Sequence, residues 1–109
     1  MIMAEYYVYV LISEKDGNFY VGYTLNLKKR LSDHNNGNVR STSHRIPLRL
    51  IYFEGCLNQQ DVIHREKYLK TAWGKRYIKN RIKNYLTSLD SLWHQAGQAV
   101  VALSHLAIF

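Results

Sequence analysis

Apolar and aromatic residues fill both alternating sets of positions from Tyr6 to Ser13. Tyr6, Val8, Val10 and Ile12 make one set; Tyr7, Tyr9 and Leu11 make the other. Alternation with both sets apolar predicts a strand covered on both faces, as in the centre of a sheet. Asp16-Gly17 follows, and then Asn18 to Thr24, a second run rich in aromatic and β-branched residues. Together the two runs predict a hairpin. Directly opposed residues share a face. A two-residue type I′ turn at Asp16-Gly17 opposes Leu11 to Gly22. A four-residue loop, Glu14 to Gly17, changes the register but keeps the parity. Either places Tyr9, Tyr20 and Gly22 on one side, whereas an odd-length loop would separate the two phenols.

The period then changes. Asn26 to Asn35 predicts a helix with Asn26 (or Thr24) as N-cap, Gly37 as stop, and Leu27 and Leu31 as its buried stripe. Arg30 and His34, four apart, fall together at the edge of that stripe. Asn36 to Pro47 is polar and aperiodic and is expected to be a mobile loop. Leu48 to Glu54 predicts a third strand, with Leu50, Tyr52 and Glu54 facing away from Ile51 and Phe53. A longer helix is expected from about Gln59 to Trp73, capped by Asn58 and supported by Asp61. Its stripe reads Val62, Glu66, Leu69, Trp73, so a carboxylate interrupts an apolar face. A buried carboxylate needs a cation, a metal or donors; the alternative is a surface pair of Glu66 with Lys70. Gly74 is expected to break this helix, and Lys75 to Leu86 to form the next.

Composition changes at Leu86. All 15 Lys and Arg residues precede it, and Asp90 is the sole charged side chain of the Asp, Glu, Lys and Arg set after it. One domain over residues 1–86 with a distinct tail over 87–109 is expected. The tail reads equally as a helix packed on the domain, a segment for a protein partner or self-association, or sequence with little structural role. It is too short and interrupted for a membrane span.

A net charge of +7 points to an acidic partner, nucleic acid before an anionic membrane. The charge is clustered. Lys28, Lys29, Arg30, Arg40, Arg45 and Arg49 face only Asp33 in the stretch from Asn26 to Leu50. Arg65, Lys67, Lys70, Lys75, Arg76, Lys79, Arg81 and Lys83 face only Glu66 between His64 and Lys83. Lys28, Lys29, Arg40, Arg45, Lys70, Lys75 and Arg76 are therefore the candidate phosphate contacts. No lysine-rich amphipathic anchor supports a membrane-surface role. The single cysteine, Cys56, excludes an intrachain disulfide and fits a reducing compartment. With no basic, apolar leader at the N-terminus, a cytoplasmic location is expected. The five histidines lack zinc spacing, and neither a glycine-rich phosphate loop nor a nucleophile elbow is present.

Tyr7-Val8-Tyr9, Tyr20-Val21-Gly22-Tyr23-Thr24, Lys29-Arg30-Leu31 with His34, and Arg65-Glu66-Lys67-Tyr68-Leu69-Lys70 occur in that order. The ordered set resembles the GIY-YIG nuclease family, in particular its small, single-domain bacterial members, which resemble the cleavage module of the excision-repair nuclease. The resemblance spans about Tyr6 to Leu86. It implies an α+β fold, a three-stranded antiparallel sheet flanked by helices, and metal-dependent hydrolysis of phosphodiester bonds, with DNA the expected substrate and repair or processing the expected setting. It matches Tyr9 to the tyrosine that activates the nucleophile and Tyr20 to the second motif tyrosine. Arg30 matches the arginine that stabilises phosphate charge, Glu66 the one metal-binding carboxylate, and His34 an accessory position. Mg2+ or Mn2+, one ion, is the implied cofactor. Two departures stand out: Tyr7 replaces the first motif's glycine, and the late asparagine has two candidates, Asn80 and Asn84, of which Asn80 is carried forward.

These residue types suit the chemistry. Mg2+ keeps several waters, so one glutamate suffices when substrate oxygens complete the shell. A phenol with a pKa near 10 needs help to act as a base near neutrality. A metal-bound water relay or the nearby Arg30 is expected to lower it, and His34 to take the proton onward. The alternative function is a nucleic-acid-binding module that does not cut and relies on a partner.

Overall fold

The computed structural model describes residues 4–95. Strands β1 (Tyr6–Ser13), β2 (Phe19–Thr24) and β3 (Leu48–Cys56) form an antiparallel sheet in the order β2-β1-β3. Helices α1 (Leu27–Asn35), α2 (Gln59–Leu69), α3 (Ala72–Arg81) and α4 (Lys83–Gln95) flank it. The fold class is α+β, as the resemblance implies. β1 is the central strand, and the reason lies in its two apolar faces. Val8, Val10 and Ile12 join Val21, Ile51, Val62, Leu69, Ile78, Leu86, Leu89 and Trp93 in one core. Tyr9 and Leu11 join Leu48 in a second core on the other face, packed by Tyr20, Leu27, Leu31, Ile46 and Leu50.

The hairpin uses the four-residue loop. Tyr9 opposes Gly22 and Leu11 opposes Tyr20, and Ser13 N–H bonds Asn18 O at 3.1 Å. Of the two residues a type I′ turn would need at positive φ, only Gly17 has it, at 72°. The wider loop is stabilised locally instead. Ser13 Oγ accepts from Lys15 N–H and Asp16 N–H, and Asp16 Oδ1 accepts from Asn18 N–H. Parity survives, and the two phenols share a face.

The polar loop after α1 is not loose. Ser13 Oγ donates to Arg45 O at 2.6 Å, and Glu14 N–H to Pro47 O at 2.8 Å. The Arg45 guanidinium forks onto Asp16 at 2.7 and 3.2 Å and reaches Asn18 O at 3.0 Å. That fork holds the Asp16 carboxyl below the usual carboxylate range. Val39 and Thr42 are buried. Side-chain hydrogen bonds, invisible to apolar periodicity, thus tie this loop to the hairpin turn.

Two further elements depart from expectation. Between Val10 and Leu11 the pairing with β3 shifts, with Val10 opposite Tyr52 and Leu11 opposite Leu50. Ile51 is the extra residue of a β-bulge. Leu50 therefore packs on the Tyr9 face, while Ile51 and Tyr52 both pack on the other, so the strict alternation expected for β3 fails there. The long helix ends at Leu69, not Trp73. Thr71 caps α3 by accepting from Gly74 N–H at 3.1 Å. Gly74 lies inside α3, and a Cβ there would overlap Tyr68 O and Leu69 Cα. It permits the close approach of two helices and does not break one. The expected break came one turn too late because Thr71 is the stronger local signal.

The compositional change at Leu86 is not an edge of the fold. α4 starts at Lys83, crosses it, and buries Leu86, Leu89 and Trp93 in the main core. Burying such side chains contributes about 1.5–3 kcal/mol each. Within 87–109, the helix runs to Gln95 and packs through Leu89 and Trp93; residues 96–109 lie outside the described residues. Among the described residues no helix is long and apolar enough to cross a membrane.

Candidate active site

β1 and β2 carry Tyr9 and Tyr20 to the same face, with ring centroids 6.3 Å apart. α1 begins at the Asn26 cap, whose side chain accepts from Lys29 N–H. It lays Leu27 and Leu31 on that face and brings Arg30 and His34 with them. Gly22 makes the arrangement sterically possible. A Cβ at position 22 would lie 2.5 Å from Tyr9 Oη and 2.7 Å from Cζ. The Tyr9 ring therefore lies across Gly22, which is the close approach that an isolated strand glycine signals.

Tyr9 is the hub. Its hydroxyl lies 2.8 Å from His34 Nε2, and Arg30 Nε donates to its oxygen at 3.4 Å. His34 stacks edge-on to Tyr20 at 5.0 Å. On its far side, His34 Nδ1 lies 2.7 Å from Thr42 Oγ1. Thr42 Oγ1 in turn reaches Val39 O at 3.4 Å. A carbonyl can only accept, so the Thr42 hydroxyl donates to Val39 O and accepts from His34 Nδ1–H. Nε2 is then bare and accepts the Tyr9 proton. One tautomer satisfies every donor in the chain.

Burial and the Arg30 charge pull the His34 imidazole down to about 4, so it is neutral near pH 7. Burial pushes the Tyr9 hydroxyl above the ordinary phenol range; the Arg30 hydrogen bond opposes this without winning, and the Tyr20 and Glu66 charges add to the rise. The expectation that Arg30 would lower the Tyr9 pKa thus holds for its own contribution but not for the net direction. His34 also differs from its expected place at the edge of the stripe. It is fully buried, because Tyr9 and Thr42 satisfy both ring nitrogens.

Glu66 comes from another part of the fold. α2 packs on the opposite face of the sheet through Val62 and Leu69, and Glu66 lies on that stripe with 17% of its side chain exposed. Lys70 Nζ is 3.3 Å from its carboxylate. The surface pair and the covered carboxylate, posed as alternatives, therefore coexist. Glu66 is linked to Tyr9 through its charge, which raises the phenol's pKa. Among the described residues no group of three or more His, Cys, Asp or Glu could hold a metal ion. A single carboxylate fits a hydrated cation whose shell a substrate completes, and does not fit a metal caged by protein.

The remaining candidates disperse. Lys28, Arg40 and Lys75 are exposed. Lys29 pairs with Asp33 at 3.0 Å, and Lys70 pairs with Glu66. Arg45 is committed to Asp16 and is largely covered, so its role is to hold the loop; its guanidinium is not available for phosphate without breaking that fork. Arg76 stacks over Trp73 at 5.1 Å. Asn80 is exposed and lines a depression with Trp73, Arg76 and Tyr77; it shares no lining residue with the depression where Arg30 opens beside Thr24, Lys29 and Asp33. One contributor escaped the sequence: Thr42, in a run of polar loop residues, carried no signal. Gly22 was placed on the face of Tyr9 and Tyr20 by the hairpin's parity but was given no role there.

A model of the GIY-YIG catalytic domain matches residues 5–79. The chain belongs to the GIY-YIG family. The GIY-YIG match contains Tyr9, Tyr20, Arg30, His34 and Glu66, and ends one residue before Asn80. Its relatives include a UPF0213 protein of Streptococcus pneumoniae serotype 4, 34% identical over 94 residues, covering 80% of this chain and 92% of that one. A UPF0213 protein of Clostridium perfringens is 45% identical over 65 residues, covering 59% and 69%. Among solved structures, the solution NMR structure of the UPF0213 protein BH0048 from Bacillus halodurans is similar at 30% identity and a TM-score of 0.40, covering 77% of this chain and 83% of that one.

Proposed function

We propose that this protein is a divalent-metal-dependent endonuclease that hydrolyses DNA phosphodiester bonds in repair or processing. The observation that carries the reading is the Tyr9 hydroxyl held between His34 Nε2 and Arg30 Nε. Its proton points to Nε2 and one lone pair receives Arg30, which leaves one lone pair for a reacting water. A water proton can pass to Tyr9 Oη as the phenol proton passes to His34 Nε2. That relay avoids a free phenolate, which the raised Tyr9 pKa disfavours, and passes instead through an imidazolium at His34, which burial and the Arg30 charge make costly. Thr42 holds the Nδ1–H of the resulting imidazolium. Tyr9 is almost closed off, while Tyr20 and Arg30 are partly exposed, so a phosphate meets those two first. Arg30 then offers its fork of donors to the non-bridging oxygens. Glu66 would hold a Mg2+ or Mn2+ ion, which would supply Lewis acidity. Lys28, Lys29, Arg40, Lys70, Lys75 and Arg76 supply the salt-sensitive hold on the backbone.

The second reading, a module that binds nucleic acid without cutting, is favoured by one observation: Lys70 lies where a cation would compete for Glu66. Replacing Tyr9 with Phe separates the two. In the nuclease reading it slows cleavage of single-stranded, duplex or branched DNA by about 10²–10⁴-fold with binding kept. An unchanged rate removes Tyr9 from the mechanism, and binding without products from the unaltered protein, with Mg2+ or Mn2+, favours the second reading.

A further inference from the structure

The α2–α3 surface carries features that the hydrolytic chemistry does not use. Trp73 is 69% exposed, and Tyr68 and Tyr77 are exposed beside it. Exposed singly, such residues mean little, but these are arranged with cations. The Arg65 guanidinium lies 5.3 Å from the Tyr68 ring and 4.9 Å from the Tyr77 ring. Arg65 is itself fixed, since its fork grips Glu54 at 2.9 and 2.7 Å, and Tyr52 donates to the same carboxylate at 2.7 Å. Arg76 covers part of the Trp73 ring. Two depressions result and share Tyr77 as a wall. One of about 520 Å³ is lined by Asp61, His64, Arg65, Tyr68 and Tyr77. One of about 350 Å³ is lined by Trp73, Arg76, Tyr77 and Asn80.

We infer that this face binds an unpaired strand of nucleic acid, seating bases against Trp73 and Tyr77. The inference rests on the nucleic-acid reading above and names the substrate class within it. Flat, exposed aromatics held by arginines offer stacking surfaces, and only unpaired bases expose a π-face to them. Lys75 and Arg76 on the same helix give the charge complementarity that a phosphate backbone requires. Asp61 and Asn80, one in each depression, suit the amino and imino edges of bases. A protein partner would use the aromatics equally well, but the surrounding chain from Asp61 to Lys83 has eight Lys and Arg residues against two acidic ones, Asp61 and Glu66, and that balance selects a polyanion.

The protein holds only two tryptophans, Trp73 and the buried Trp93, so ligand-dependent change in intrinsic fluorescence reports on Trp73. Titration of the full chain with a short single-stranded DNA of mixed sequence should quench it. Trp73→Ala should weaken single-strand binding, read by anisotropy, by about five- to 100-fold, and more than duplex binding. Trp73→Phe should recover part of the loss, and circular dichroism should show both variants folded. Binding of single strands without quenching, or unweakened in Trp73→Ala, overturns the inference. So does loss of a dimer in Trp73→Ala without change in strand affinity, which would mark a protein-docking face. Unaltered protein that binds and cleaves duplex while its fluorescence ignores single strands overturns this inference alone. Protein that binds neither overturns the nuclease reading with it.

Discussion

Adding one methyl group at position 22 should damage the site more than the fold. In Gly22→Ala the new Cβ would lie 2.5 Å from Tyr9 Oη and 2.7 Å from Cζ, against an ordinary contact of about 3.5 Å. The ring must retreat by about 1 Å. The bond to His34 Nε2, now 2.8 Å, would then exceed hydrogen-bonding range. Overpacking costs about 1–3 kcal/mol, and leaving a buried partner unsatisfied costs about 1–3 more. A loss of about 2–6 kcal/mol is therefore expected in urea denaturation. Misplacement by 1 Å should also cost about 10²-fold in cleavage rate. The diagnostic assay is a double-mutant cycle with Tyr9→Phe, which removes the atom closest to the new methyl. The two changes should be less than additive by at least about 1 kcal/mol. Strict additivity, or a Gly22→Ala protein of unaltered stability, would refute the steric argument.

Thr42→Val keeps the shape at position 42 but removes the acceptor for His34 Nδ1–H. It should destabilise the fold by about 1–3 kcal/mol and move the imidazole proton to Nε2, seen in nitrogen-15 chemical shifts; Thr42→Ser should restore both, and an unmoved tautomer would count against the hydrogen-bond chain. His34 should titrate near pH 4 in the folded protein. Its folded pKa is below the unfolded value, so the fold binds fewer protons at this site. Its contribution is complete above about pH 6.5 and is lost as pH falls toward 4, by about 3 kcal/mol. An NMR midpoint near 6.5 would contradict it.

The parts of this molecule that were legible in the sequence are those governed by period and parity. Two apolar faces on β1 announced a central strand, and any even loop kept Tyr9 with Tyr20. Asn26 and Asn58 announced helix starts, and both side chains do accept from the first-turn amides. The misreadings share a physical origin in contacts between residues distant in sequence. The bulge at Ile51 depends on how β3 meets β1. The ordered loop depends on Arg45 finding Asp16. Thr42 matters only because folding brings it to His34. Burial also reversed the expected direction of the Tyr9 pKa, since desolvation is set by the whole fold. Glu66 was readable as a carboxylate on an apolar stripe, but not that its stripe packs on the face opposite Tyr9.

The central claim is that these residues hydrolyse DNA with the help of one cation at Glu66. The direct measurement is a cleavage time course of unaltered protein and Glu66→Ala, side by side, with Mg2+, with Mn2+ and with a chelator. Products should form only from the unaltered protein and only with metal, while Glu66→Ala keeps its helical circular dichroism. Metal-dependent cleavage at full rate by Glu66→Ala would contradict the account.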